Sequence, residues 1–189
     1  MEAREKNNHQ SLIERCREND RKAQYKLYKL FYKPMFNTSL RILNDTAEAE
    51  DVMQESFLDA FRKLSDYSGE GSFGGWLRKI VVNNSINALR KRQESWPFDE
   101  RVMDRAEDRD DSQEYLDFKI EEIKQALSRL PDDHRVMLSL FLFEGFDHEE
   151  IAMILNISNN ASRTRFFRAK QALLSILEKD HRLKQFNPN

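Results

Sequence analysis

Four things are scarce in this 189-residue chain, and each scarcity removes a class of protein. The lone cysteine, Cys16, has no partner for an intramolecular disulfide and supports no cysteine-based zinc site. A small, partly buried thiol is the expected reading. There are only five glycines and four prolines. Four of the glycines are bunched at Gly69, Gly71, Gly74 and Gly75, so few breakers remain for a sandwich, a barrel or a disordered chain, and helices are expected. No apolar run reaches the about 18 residues of a membrane span, so no membrane insertion is expected. The opening MEAREKNNHQ has no apolar signal-peptide core, and a reducing, cytoplasmic location is the default. Net charge is scarce too: it is −2, and a near-neutral average argues against a nucleic-acid binder.

What is present reverses that last inference. Charged residues make up 34% of the chain and hydrophobic ones 39%, enough apolar material to bury cores. The charge is sorted into blocks. Residues 1–43 carry a net +5, 44–59 carry six acids and no base, and 76–93 carry five bases and no acid. Residues 94–122 carry a net −8 and 156–175 a net +4. Blocks of opposite sign imply several partners of different charge, against the plain alternative of solvated faces.

Residues 94–115 (ESWPFDERVMDRAEDRDDSQEY) are acid-rich, hold a proline and lack an apolar helical period, which marks a linker. The expected organisation is therefore all-α. A helical domain at 1–93 and another at 119–189 are joined by a flexible acidic linker at 94–118, each domain near the lower size for independent folding.

Between 49 and 64, Ala49, Val52, Met53, Phe57, Ala60, Phe61 and Leu64 recur at spacings of three and four, a core-facing stripe. Asp45-Thr46-Ala47-Glu48 supplies a start signal. Another face carries Glu48, Asp51, Glu55 and Asp59, and the first three have no base at i+4, so the stripe repels itself unless a basic partner covers it. The glycine cluster lacks the Walker spacing and its Lys-Ser/Thr ending, so it is not a phosphate loop. It reads as a flexible loop with Ser72 as cap, leading into a helix over about Phe73 to Arg92. That helix has apolar residues on two sides. Between them lies a polar strip of Lys79, Asn83, Asn87 and Arg90 with Trp76 at its upstream end. Amides read base edges and Trp stacks on an unpaired base, although a core Trp with surface amides is the plain alternative.

Near the C-terminus, Glu149 to Leu155 reads as a short helix, Asn156-Ile157-Ser158 as a tight turn, and 159–179 as a longer helix. Phe166, Ala169, Leu173 and Ile176 form its expected buried stripe, and Arg163, Thr164, Phe167, Arg168 and Gln171 its other face. This is a helix-turn-helix pattern, whose second helix enters the major groove.

Taken together these segments resemble bacterial sigma factors of the extracytoplasmic-function group, which have only domains two and four. Asp51-Val-Met-Gln-Glu-Ser-Phe is similar to the family's AEDLVQETF segment. Ser72-Phe-Gly-Gly-Trp-Leu-Arg-Lys-Ile-Val-Val-Asn is similar to F..WL..IA.N. Leu130-Pro131, Glu144-Gly145, Glu150-Ile151-Ala152 and Ser158 through Lys170 are similar to LP…EG…EIA…S…R..RA. The match spans roughly residues 20–92 and 120–177, in the family's order.

The resemblance implies a promoter-specificity subunit that binds core RNA polymerase and starts transcription at chosen sites. It implies contacts from Asp51, Gln54 and Glu55 to the clamp helices of the largest subunit, and a contact with the flap of the second-largest. Phe73, Trp76, Asn83, Asn87 and Arg90 fall at positions that read and melt the minus-ten element of promoter DNA. Arg163, Thr164, Phe167 and Arg168 fall at minus-thirty-five contacts. The acidic linker would thread polymerase channels otherwise filled by nucleic acid, and an anti-sigma factor is a further partner the family admits. Three departures bear on promoter preference: Asn87 stands where Asp is usual, Ala161-Ser162-Arg163-Thr164 replaces Thr-Val-Lys-Ser, and Asp147 replaces a Ser cap. The alternative is a free-standing helix-turn-helix regulator with a helical sensing or dimerisation domain, which leaves the acidic stripe and the glycine loop without a role. No enzyme, cofactor or metal is expected, because His9, His134, His148 and His181 are scattered and no nucleophile constellation is present.

Overall fold

A computed structural model describes the backbone of residues 2–92 and 119–186, and the side chains of 9–92 and 119–181. The expected acidic linker lies outside the described residues. Every regular element among the described residues is helical. The chain divides into two compact units, Met1–Arg92 and Gln93–Asn189.

The first unit holds α1 (Glu2–Arg17), α2 (Arg21–Leu43), α3 (Thr46–Arg62), a 3-10 turn (Leu64–Asp66) and α4 (Phe73–Arg92). Each boundary has a local cause. The Asp20 carboxylate caps α2 by accepting from the Lys22 and Ala23 amides. Asn44 ends α2 in the left-handed conformation at φ 55°, which Asn tolerates. Asp45 then caps α3, accepting from the Glu48 amide at 2.9 Å, as its start signal implied. The apolar stripe runs on to Leu64, but α3 ends at Arg62, because the chain tightens into the 3-10 turn that buries Leu64. Ser72 caps α4 through its hydroxyl, which accepts from the Gly75 amide at 3.0 Å.

Helices α2, α3 and α4 pack on one another, with α1 laid against α2. Ala49, Val52, Met53, Phe57, Ala60 and Leu64 are buried as their spacing requires, and Phe61 is half-buried. Both apolar sides of α4 find cover: Leu77, Val81, Val82, Ile86 and Leu89 are all buried. The buried serine hydroxyls of this core are matched. The Ser39 and Ser85 hydroxyls pair at 3.0 Å between α2 and α4, and the Ser56 hydroxyl donates to the Val52 carbonyl. Cys16 is buried in the same core.

The second unit holds α5 (Ile120–Ser128), α6 (Asp132–Leu138), a π-helical turn (Ser139–Phe143), α7 (His148–Leu155) and α8 (Asn159–Phe186). Helix α8 packs against α5, α6 and α7. An Arg129–Asp180 ion pair ties the end of α5 to α8. On α8, Ala169, Leu173 and Leu177 are buried, whereas Phe166 and Ile176 of the expected stripe are only partly covered.

Candidate nucleic-acid interface

On α4 the expected polar strip faces outward. Lys79, Asn83 and Asn87 are exposed, and Arg90 is partly covered. The third asparagine, Asn84, turns the other way. Its amide donates to Ser56 Oγ at 3.1 Å and to the Asp59 carboxylate at 3.2 Å, bracing α4 against α3. Trp76 is half-buried, its ring 5.5 Å from Tyr67 and 5.6 Å from Phe73. Phe73 differs from expectation. It is 4% exposed and packs against Phe31, Tyr67 and Trp76, so its ring supports the site from beneath and has no free face for a base. The loop before it bends at Gly69 and Gly71, with φ of 86° and 76°.

The acidic face of α3 is shorter than its sequence implied. Glu48 pairs with Arg92 of α4 at 3.1 Å, and Asp59 pairs with Arg62 at 3.3 Å besides accepting from Asn84. The i+4 rule missed these partners, since one comes from 44 residues away and the other from i+3. Asp51, Gln54 and Glu55 remain as an exposed group in the middle of the helix.

In the second unit α7 and α8 form the helix-turn-helix. Asp147 and Glu150 make a capping box at the start of α7: the Asp147 carboxylate accepts from the Glu149 and Glu150 amides, and Glu150 accepts from the Asp147 amide. Asn156 closes α7 at φ 57° and ψ 52°. The Ser158 hydroxyl accepts from the Ala161 amide at 3.1 Å and opens α8. His148 locks the two helices together. Its Nδ1 lies 3.0 Å from the buried Ser162 hydroxyl, and its ring lies against Phe141 and Phe166. Burial, and then the Arg163 charge, push the His148 pKa below its ordinary 6.5.

The outer face of α8 carries Arg163 and Arg168, both exposed, with Phe167 half-exposed between them. Arg163 Nε donates to Asn159 Oδ1 at 3.0 Å, which orients the guanidinium. Thr164 corrects the sequence reading: it is 9% exposed and its hydroxyl donates to the Asn160 carbonyl, so it faces the unit's interior. Asn160 is exposed and was missed. It stands three residues before Arg163 and seven before Phe167, a spacing that places it on their face.

Two family models match the chain. Sigma-70 region 2 covers residues 27–95, which takes in most of α2 and all of α3 and α4, and Sigma-70 region 4 covers 120–173, which takes in α5 to α7 and the first half of α8. The chain belongs to the sigma-70 family, in its extracytoplasmic-function group.

This sigma factor is 29% identical to the RNA polymerase sigma-H factor of Pseudomonas aeruginosa over 180 residues, covering 89% of this chain and 93% of that one. It is 29% identical to the ECF RNA polymerase sigma-E factor of Haemophilus influenzae over 175 residues, covering 87% and 92%. In fold it matches the sigma factor RpoE of Bartonella quintana, solved with the anti-sigma factor NepR. That match has a TM-score of 0.55 and 22% identity, over 82% of this chain and 96% of that one. None of the described helices is long and apolar enough to cross a membrane.

Proposed function

We propose a division of labour between the two units of this sigma factor. The protein binds core RNA polymerase and directs promoter recognition and transcription initiation. The unit within residues 1–93 takes polymerase on α3 and the minus-ten element on α4. Asp51, Gln54 and Glu55 meet the clamp helices of the largest subunit. Trp76 stacks on an unpaired base while Asn83, Asn87 and Arg90 contact its neighbours, with Phe73 holding Trp76 in place. The unit within 119–189 reads the minus-thirty-five element through Arg163, Phe167, Arg168 and Asn160, and docks on the flap of the second-largest subunit. The acidic segment 94–118 connects them. The chain supplies no chemistry of its own. Promoter opening is driven by binding energy, unstacked bases being worth roughly 1–3 kcal/mol each on aromatic platforms. It acts in the cytoplasm, where polymerase and DNA are, and an anti-sigma factor comparable to NepR is a further partner.

One observation carries this reading. Helices α3 and α4 pack together, yet leave an exposed acidic patch with no partner among the described residues on one and an Asn/Lys strip beside a half-exposed Trp on the other. A free-standing regulator uses neither surface. Gel filtration with core polymerase tests the assignment: co-elution of the wild-type chain is expected, with loss on reversing charge at Asp51 and Glu55. Undiminished binding by the reversed variant would refute the polymerase face.

A further inference from the structure

The region 2 match begins at residue 27, so α1 and the corner between α1 and α2 lie outside it. These residues nevertheless reach the candidate minus-ten site. Helix α1 sinks Leu12, Ile13 and Cys16 into the core of the first unit. The corner after it is fixed twice over. Arg15 Nε donates to the Asp20 carboxylate at 2.9 Å, which holds that carboxyl below its usual range, and Asn19 takes the left-handed turn at φ 61°.

From this corner Arg17 reaches across 50 residues of sequence, and its Nη2 donates to the Tyr67 carbonyl at 2.6 Å. Tyr67 is itself 5% exposed. Its hydroxyl donates to the Gly71 carbonyl at 3.1 Å, and its ring carries Trp76 and Phe73. The loop is thus held where it begins and where it ends. Beyond the adjacent residues, nothing lies within 4 Å of where a Cβ would stand on Gly69 or Gly71, so the middle of the loop is open around them.

We propose that Arg17 and Tyr67 are positioning residues for promoter opening. Arg17 anchors the entrance of the 68–71 loop, and the Tyr67 hydroxyl closes its exit. Loop and Trp76 are then arranged for an unpaired base before DNA arrives. This rests on the minus-ten assignment above. Arranging the loop in advance removes an ordering cost that would otherwise fall on the melting step.

The test uses full-length protein in holoenzyme with core polymerase. The probe is a promoter recovered by wild-type holoenzyme from a genomic library, with 2-aminopurine placed in its minus-ten non-template strand. Tyr67→Phe removes one hydroxyl and keeps the buried ring, and Arg17→Ala removes the anchor. Each is expected to slow opening by about fivefold to tenfold, the worth of one net hydrogen bond. Each is also expected to narrow discrimination between minus-ten base substitutions by a similar factor, while affinity for core polymerase stays unchanged. Arg17→Lys restores part of the loss.

Trp76→Ala separates the two ideas. If it reduces minus-ten discrimination while Tyr67→Phe and Arg17→Ala do not, the tether is refuted and the minus-ten site stands. If Trp76→Ala also leaves discrimination intact, the site itself falls, and the tether with it. Should Arg17→Ala lower the melting temperature of the first unit, the Tyr67→Phe result decides.

Discussion

At the scale of single residues, geometry sorts side chains that look equivalent in sequence. Glu48, Asp51, Glu55 and Asp59 share one helical stripe, but among the described residues only Asp51 and Glu55 of the four have no partner. Reversing those two is expected to weaken polymerase binding, as read by titrating labelled sigma factor with core enzyme. Reversing Glu48 or Asp59 is expected to act instead through lost pairing with Arg92 or Arg62 and to lower thermal stability. Arg163→Ala is expected to relax preference at one minus-thirty-five base pair by roughly 1–3 kcal/mol if the contact is bidentate to guanine. A uniform loss over all promoter sequences would instead assign Arg163 to a phosphate. His148 gives a pH dependence with a definite sign. Its pKa is lower in the folded chain than the ordinary 6.5, so the unfolded chain takes up the proton more readily. The stability it contributes is complete above about pH 6.5 and is lost as pH falls from there through the folded value. Melting followed between pH 7.5 and 5.5 should therefore fall more steeply for the wild type than for His148→Gln. The sequence could not separate Thr164 from Arg163 or Phe73 from Trp76, because adjacent or three-apart positions lie at the edge of a face. Only the neighbouring helices decide which side of that edge is covered.

At the scale of elements, the sequence was most legible where the cause is local. Asp45, Ser72, Asp147 and Ser158 all act as the caps their residue types announced, and Asn156 takes its left-handed turn. Asp147→Ala is expected to cost about 1 kcal/mol through loss of the capping box. Thermal denaturation followed by circular dichroism should show it in the second unit and not in the first. Gly74 is the opposite case. A Cβ there would lie 2.9 Å from Cε1 of Phe31, on α2 far earlier in the chain, and no local pattern announces this. Gly74→Ala is expected to destabilise the first unit by about 1–3 kcal/mol despite the higher helix propensity of alanine. A rise in melting temperature would show that the Phe31 ring simply turns away. The 3-10 turn at Leu64–Asp66 and the π-helical turn at Ser139–Phe143 were likewise hidden. They come from packing Leu64 and Leu140 into cores, which helical periodicity does not encode.

At the scale of the whole molecule, the chain divides into two compact units, so polypeptides 1–92 and 119–189 are each expected to melt cooperatively. A helical spectrum that fades without a transition in either would show that the unit needs its neighbour. The net charge of −2 hides basic blocks on both of the segments proposed to read DNA, and promoter affinity of the holoenzyme is expected to fall as salt rises. The cysteine count gives this two-unit chain a built-in gauge. Cys16 is its single thiol, lies in the first core beside Arg17, and burial pushes its pKa up to about 11. Alkylating reagents attack the thiolate, so at neutral pH labelling must wait for the first unit to open. The labelling rate of the intact chain therefore reports how often that half opens, whatever the helix-turn-helix half is doing, and binding to polymerase should slow the clock.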